Sequence, residues 1–440
     1  MTTRIPKSIA ALADKKVTRQ EWERDIKPEL EKLPAGASAE ARALLEVLDS
    51  DQMDLNYEAR QELSGYVQHK FGYELGDYRQ TGLLNLLLGM HKPPTLEEKR
   101  ASNVSEADPR FADLASRVGR QEATSTLAII TPSGVETGHP ALGDKLWEKP
   151  GEIPGNRIDD DGDGKIDDAH GWNFDHDMAL RRGDGKELRK LNDRGLALAG
   201  LGSKGTDQVK AMPLTVGTVG DALEAIDYAI ENGARVIDVG FAAKGKETVA
   251  AVMEKIRANP DVTFVIGAGD EGLHIADTFD KNFKGKRYLA ANQADNLIAV
   301  ASANADGEYV RSSNRGPSVS VAARGETVLS TMSGNTFGHD SGTALAAASV
   351  ANLVGRCQVL APELSPGEIK RVISDTVDEE VTLSGRVESG GVINVQRASE
   401  LAALISLQRR GESPRAAADK LGLAGDQRRE LIEASAAFVD

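Results

Sequence analysis

The chain has 440 residues, 40% of them hydrophobic and only 4% aromatic, and its 68 acidic against 53 basic residues give a net charge of −15. That length exceeds one ordinary domain of roughly 100–200 residues, and the acidic balance argues against nucleic acid as a main partner. Cys357 is the one cysteine, which excludes an intrachain disulfide and suits a reducing compartment. The opening MTTRIPKSIAALADKK carries an apolar run too short for a signal peptide, and no stretch approaches the ~20 apolar residues of a membrane span. The expectation is a chain without a leader, the cytoplasm favoured and leaderless export left open.

Residues 1–115 read as a helical N-terminal region. Thr18 and Thr95, each followed three residues on by Glu, have the form of capping boxes, and Leu44, Leu45, Val47 and Leu48 fall on one helix face. Asp49, Asp51 and Asp54 are acidic and regular but lack a following glycine turn, and read as a helix end. From about residue 124 short apolar runs (TLAII, ARVIDVG, VTFVIGAG, NLIAVAS) alternate with helix-like segments. That alternation, carried over residues 116–408, implies an α/β domain with a doubly wound parallel sheet flanked by helices. GDALEAIDYAIENGARVIDVG is one such unit, an amphipathic helix closed by Gly233 and followed by a buried strand. LSPGEIKRVI opens another helix, with Ser365 as cap, Pro366 in the first turn and Glu368 completing the box. Residues 409–440 read as a tail of one or two charged helices.

Between the first strand and the next helix lies NRIDDDGDGKIDDAHGWNF, residues 156–174. Asp159, Asp161 and Asp163 alternate, Gly164 allows a sharp turn and Ile166 stands where such loops are anchored, which is the start of a calcium-loop pattern without its twelfth-position Glu. Carboxylates packed this densely repel unless a cation or solvent compensates. The expected ligands are Asp159, Asp161, Asp163, Lys165, Asp167 and Asp168, holding a structural calcium ion. His170, His176 and Asp175 nearby read as surface residues rather than a zinc site.

Taken in order, the strand ends resemble the subtilisin-like serine proteases over roughly residues 124–400. LAIITPSGVETGHPAL is similar to the strand and turn bearing that family's catalytic Asp, and NDRGLALAG to the helix start bearing its His. GARVIDVGFAA resembles the strand lining the substrate cleft, and FVIGAGDEG the loop presenting the oxyanion Asn. DSGTALAAASVANLV is similar to the helix headed by the catalytic Ser. An acidic insert between the Asp and His segments binds calcium in that family, so the resemblance implies calcium here too.

Residue by residue, the family's Asp falls on Pro132, its His on Arg194, its Ser on Ala344 and its oxyanion Asn on Asp270. Acyl transfer needs a nucleophile, a base, a carboxylate that orients the base, and donors for the oxyanion. Proline offers no acceptor, a guanidinium keeps its proton at any useful pH, alanine offers no nucleophile, and an ionised carboxylate donates nothing. Ser133, Ser341 and Ser349 lie near these motifs, but no His lies near Arg194. The glycine and alanines around Arg194 suit close helix-to-sheet packing.

The resemblance therefore implies a catalytically inactive subtilase, a pseudoprotease that binds a peptide or protein partner in a scaffolding or regulatory role. Two other readings stand beside it, a hydrolase using other residues of the same cleft and a structural subunit whose cleft is vestigial. Without a triad no self-cleavage is expected, and the N-terminal region should stay attached. Arg194 and Asp270 are expected to approach each other across the former active site.

Overall fold

A computed structural model describes residues 108–180, 194–241, 245–275, 288–333 and 335–439. The helical signals expected over residues 1–107, with the Thr18 and Thr95 boxes, lie outside the described residues.

Twelve strands are present among the described residues: β1 (Ser125–Thr131), β2 (Trp172–Asn173), β3 (Met178–Ala179), β4 (Val209–Thr215), β5 (Val236–Val239), β6 (Thr263–Gly267), β7 (Leu297–Ala303), β8 (Val321–Arg324), β9 (Val328–Met332), β10 (Thr336–Asp340), β11 (Asp378–Glu379) and β12 (Gly391–Val392). Ten of them form one sheet in the order β11, β12, β8, β7, β6, β5, β1, β4, β2, β3, and β9 with β10 makes a separate antiparallel hairpin. The sheet is parallel except for its outermost pairs, β11 with β12 and β2 with β3. Because the chain leaves β1 toward β4 and later returns to β5 on its other side, β1 sits at the point where the winding reverses. In open α/β sheets the crevice at such a point, beyond the carboxyl ends of the strands, is where ligands bind.

The helices form where sequence chemistry starts and stops them. In α1 (Pro109–Arg117) the Asp108 carboxylate accepts the amides of Arg110 and Phe111. Next come α2 (Arg194–Gly202) and α3 (Val219–Glu231), the latter opened by a reciprocal Thr218–Asp221 box, while Gly233 just beyond it takes a φ of 81°. After α4 (Lys246–Ala258) comes α5 (Thr343–Leu360), then α6 (Pro366–Ser374), where the Ser365–Glu368 box expected from sequence is present. The chain closes with α7 (Val395–Arg409), α8 (Pro414–Leu421) and α9 (Gly425–Ala436).

Two apolar cores lie on the two faces of the sheet, one with residues of α2 and α5, the other with residues of α3 and α4. Helix α5 is the axis of the first core, with 16 of its 18 residues buried. Among the described residues it is the one helix long and apolar enough to cross a membrane, and 89% of it is buried inside the protein. Burying each Leu or Val side chain there contributes about 1.5–3 kcal/mol. Cys357 lies on this helix with no exposed surface, and burial pushes its thiol up to about 12, which keeps it protonated and inert. Phe111 and Leu114 of α1, Leu421 of α8 and Leu431 of α9 belong to the same core. Helix α1 spans residues 115 and 116, α7 spans residues 408 and 409, and α1, α8 and α9 share this core with α2 and α5. Arg356, on α5, fastens the N-terminal flank: its guanidinium bonds Asp108 Oδ2 at 2.8 Å and the Lys204 carbonyl at 2.9 Å, and stacks 4.9 Å from the Phe111 ring.

One buried group runs against the packing. Asp238 on β5 has no exposed surface, lies in register between Ile129 and Val265, and neither carboxyl oxygen has a hydrogen-bond partner. Burial pushes its carboxyl up to about 8. The native state therefore keeps a proton that the unfolded chain gives up near 3.8, and stability should fall as pH rises between those two values. Asp238→Asn is expected to melt with wild type near pH 4 and several degrees above it at pH 8, as thermal denaturation across that range will measure; parallel profiles would contradict the assignment.

Candidate functional site

Pro132 and Asp270 follow the carboxyl ends of β1 and β6, and Arg194 and Ala344 stand in the first turns of α2 and α5. Helix α2 begins at Arg194, and its second residue, Gly195, packs so tightly on the turn after β1 that a Cβ there would lie 2.3 Å from the Ser133 carbonyl oxygen. No larger residue fits, and the contact holds Arg194 beside the Pro132 turn. The β9–β10 hairpin clamps the same helix, since Ser330 Oγ donates to the Ala197 carbonyl at 2.8 Å and Thr331 Oγ1 to the Leu196 carbonyl at 2.6 Å. His139 ties the post-β1 turn to this hairpin through the Thr336 carbonyl at 3.1 Å, while its Nδ1 accepts the Ala141 amide. Burial lowers its pKa, which favours the neutral ring.

The hairpin ends at Asp340 and leads into α5. The Arg194 guanidinium donates from Nη2 to the Ser341 carbonyl at 2.9 Å, and its Nε lies 3.5 Å from Asp340 Oδ2. Asp270, in the loop after β6, accepts the Thr343 amide at 2.8 Å, so a carboxylate rests on the positive end of α5. Burial raises its pKa even though the Thr343 amide and the Arg194 guanidinium pull it down. Between them stands Gly342 with φ 146°, where a Cβ would meet Arg194 Nη2 at 3.1 Å and Asp270 Oδ2 at 3.3 Å. Arg194 and Asp270 converge on this one gap, with Ala344 two residues further along. The ion pair at 3.5 Å is with Asp340, a residue the sequence reading missed; its signal was an acid directly before the SGTA run, visible only once the hairpin returns to α2. Pro132 is exposed, while Arg194, Asp270 and Ala344 are half-buried. Of the nearby serines, Ser341 Oγ accepts the Thr327 amide and Ser349 Oγ donates to the Leu345 carbonyl.

The acidic loop sorts its carboxylates differently from the expected set. Glu152, Asp159 and Asp161 each offer an oxygen within 4.8 Å of the others. Glu152 is 8% exposed; its Oε1 accepts the Asp160 and Asp161 amides, and its Oε2 has no hydrogen-bond partner. Such an all-oxygen set with a buried, unsatisfied donor suits a hard cation. Asp163 and Asp168 instead face Lys149, which also bonds Asp161. Burial would lower the pKa of Lys149, but its hydrogen bonds to these three carboxylates raise it on balance. Asp167 accepts the Arg157 amide, and the Lys165 ammonium lies 5.5 Å from the Tyr228 ring centre. Ile166, expected as an anchor, is 50% exposed. The segment leads into the short strand β2 rather than a second helix, and that side chain is not buried as an anchor. Glu152 and Lys149 escaped the sequence reading because they precede the aspartate run, across the turns at Gly151 and Gly155.

Comparison with known proteins agrees with this fold. The Subtilase family model matches residues 126–398. The chain belongs to the subtilase family. Among curated relatives, this subtilase is 25% identical to Subtilisin-like protease 1 of Plasmodium vivax over 323 residues, 67% of this chain and 50% of the relative. It is 27% identical to the Thermophilic serine proteinase of Bacillus sp. strain AK1 over 61% of this chain and 60% of the relative. It thus spans about half the length of the first of these relatives. Among solved structures, the A-subunit of the AB5 toxin from E. coli aligns at 17% identity and TM-score 0.50, covering 67% of this chain and all of that one. A lanthipeptide protease aligns at 17% identity and TM-score 0.51, covering 70% and 97%. These likenesses establish the shared fold.

Gly342 stands between Arg194 and Asp270 of the subtilase site, which gives a stability test. Gly342→Ala should cost about 1–3 kcal/mol through the backbone strain of a positive φ and the crowding of Arg194. Adding Arg194→Ala should return only the crowding part, leaving a non-additive pair in a double-mutant cycle of denaturant melts.

Proposed function

We propose that this subtilase does not cleave peptides and instead binds a peptide or protein partner in a scaffolding or regulatory role. The observation that carries the reading is Arg194: at the position of the family's general base stands a guanidinium engaged by the Ser341 carbonyl and Asp340. Such a group cannot take a proton from a nucleophile. Ala344 supplies no hydroxyl for it to activate, Pro132 no carboxylate to orient an imidazole, and Asp270 an acceptor where oxyanion donors are needed. A lost triad leaves strand-to-strand peptide capture along the cleft untouched, because that capture relies on main-chain groups.

The reading is tested with a fluorophosphonate probe and peptide-ester substrates. The intact chain should show no stoichiometric labelling and no hydrolysis. Ala344→Ser alone should behave the same way, since the new hydroxyl would face an arginine. Stoichiometric labelling or turnover by the wild-type chain overturns the proposal.

We further propose a structural calcium ion held by Glu152, Asp159 and Asp161. Bound there, the ion would offset the charge of the loop and tie its two ends together, satisfying the buried Glu152 oxygen. Binding to the native state alone should stabilise it by about 2.7 kcal/mol at a hundredfold excess of calcium over Kd. The melting temperature should rise with calcium in wild type and not in Asp159→Asn. Identical melting curves in calcium and chelator, with no calcium found by elemental analysis, would count against the site.

A further inference from the structure

The acidic loop contains a cation of its own. Lys149 follows the buried Trp147 and is fixed by its amide to the Ala169 carbonyl at 2.9 Å; its side chain is 4% exposed. An ammonium has three donors, and here all three are matched by carboxylates. Asp161 lies at 2.8 Å, Asp163 at 2.6 Å and Asp168 at 2.8 Å from Nζ. Asp168 has no exposed surface; its Oδ2 also accepts the Tyr228 hydroxyl at 2.7 Å, while its Oδ1 has no hydrogen-bond partner. The face of Tyr228 lies 5.6 Å from the ammonium. Three charged oxygens around one point, with a fourth buried and unpaired beside them, make the donor set of a hard metal ion at distances only slightly longer than the ~2.3–2.6 Å of calcium ligands.

Asp161 belongs to both clusters, since it also contributes to the Glu152–Asp159 group. The loop therefore presents two neighbouring cation positions joined by one carboxylate, and Lys149 fills one of them covalently. A singly charged ammonium repels a divalent ion in the neighbouring position half as strongly as a second divalent ion would, because the Coulomb energy is linear in each charge. Without a cation in that corner, Asp168 would be left buried beside two further acids, an arrangement that is strongly unfavourable unless the charge is neutralised.

We propose that Lys149 is a tethered substitute for a metal ion in the Asp161–Asp163–Asp168 corner, and that removing its side chain turns this corner into a second divalent-cation site. The inference rests on the calcium reading only for the choice of probe ion. Where the first site asks for calcium, this corner is built to fold without it.

The test uses the full chain and counts bound calcium by equilibrium dialysis with elemental analysis, alongside melting in calcium and in chelator. Lys149→Ala, which opens room at the ammonium position, should bind one more calcium equivalent than wild type. It should also melt well below wild type in chelator, with calcium recovering most of the loss. Lys149→Met, which removes the charge but fills the space, should be destabilised and gain no ion, and Lys149→Arg should behave as wild type. An alanine variant with wild-type stoichiometry, or one whose stability calcium does not restore, overturns the proposal. If wild type and Asp159→Asn bind equal amounts of calcium, the first site fails; the gain on Lys149→Ala is counted against wild type and still decides the second.

Discussion

The rest of the structure hangs on one helix buried on all sides. Thr343–Leu360 has the sheet on one flank and the helical layer of α1 and α7–α9 on the other, and its apolar side chains make one core continuous across both. A helix in that position cannot turn a polar face to solvent, which is why its low amphipathicity is a consequence of its place rather than a weak signal. Its two ends carry the polar work. At its start the Thr343 amide takes the Asp270 carboxylate, and further along Arg356 reaches out to Asp108, the cap of α1.

The site inherits its character from that geometry. In an α/β sheet that reverses at β1, loops from several strands converge on the amino end of this helix, whatever side chains they carry. Here they carry an arginine, two aspartates and an alanine. Charges placed so close in a half-buried setting must compensate one another. Arg194 lies with Asp340 and Asp270 around a glycine that has no side chain to intervene. The scaffold around these residues, with Gly195 against the Ser133 carbonyl and the hairpin hydroxyls on the carbonyls of α2, is the packing the fold requires. The fold and its site can therefore change independently: the first is set by packing, the second by a few side chains at its rim.

The acidic loop repeats the same principle. Its carboxylates are divided between an oxygen cluster and the Lys149 ammonium. Asp238 is the exception, a buried carboxyl left without a partner in the middle of the sheet, where protonation is the available way to lower the cost of burial.

The sequence by itself determined the α/β architecture, because alternating buried strands and capped helices are written in local periodicity and in residues such as Gly233 and the Ser365–Glu368 pair. It also singled out Pro132, Arg194, Asp270 and Ala344 through the order of their motifs, and the fold brings Arg194 and Asp270 to one gap with Ala344 two residues further along. What it could not reach were the partners that come from elsewhere in the chain. Asp340 meets Arg194 only after a hairpin folds back, and Lys149 and Glu152 join the aspartates across two turns, leaving Asp163 and Asp168 to an ammonium and Asp167 to a backbone amide. Spacing along a loop says which carboxylates are near one another in the chain. Which of them face a common point depends on backbone turns and on Tyr228 from a distant helix, and only the tertiary structure decided that.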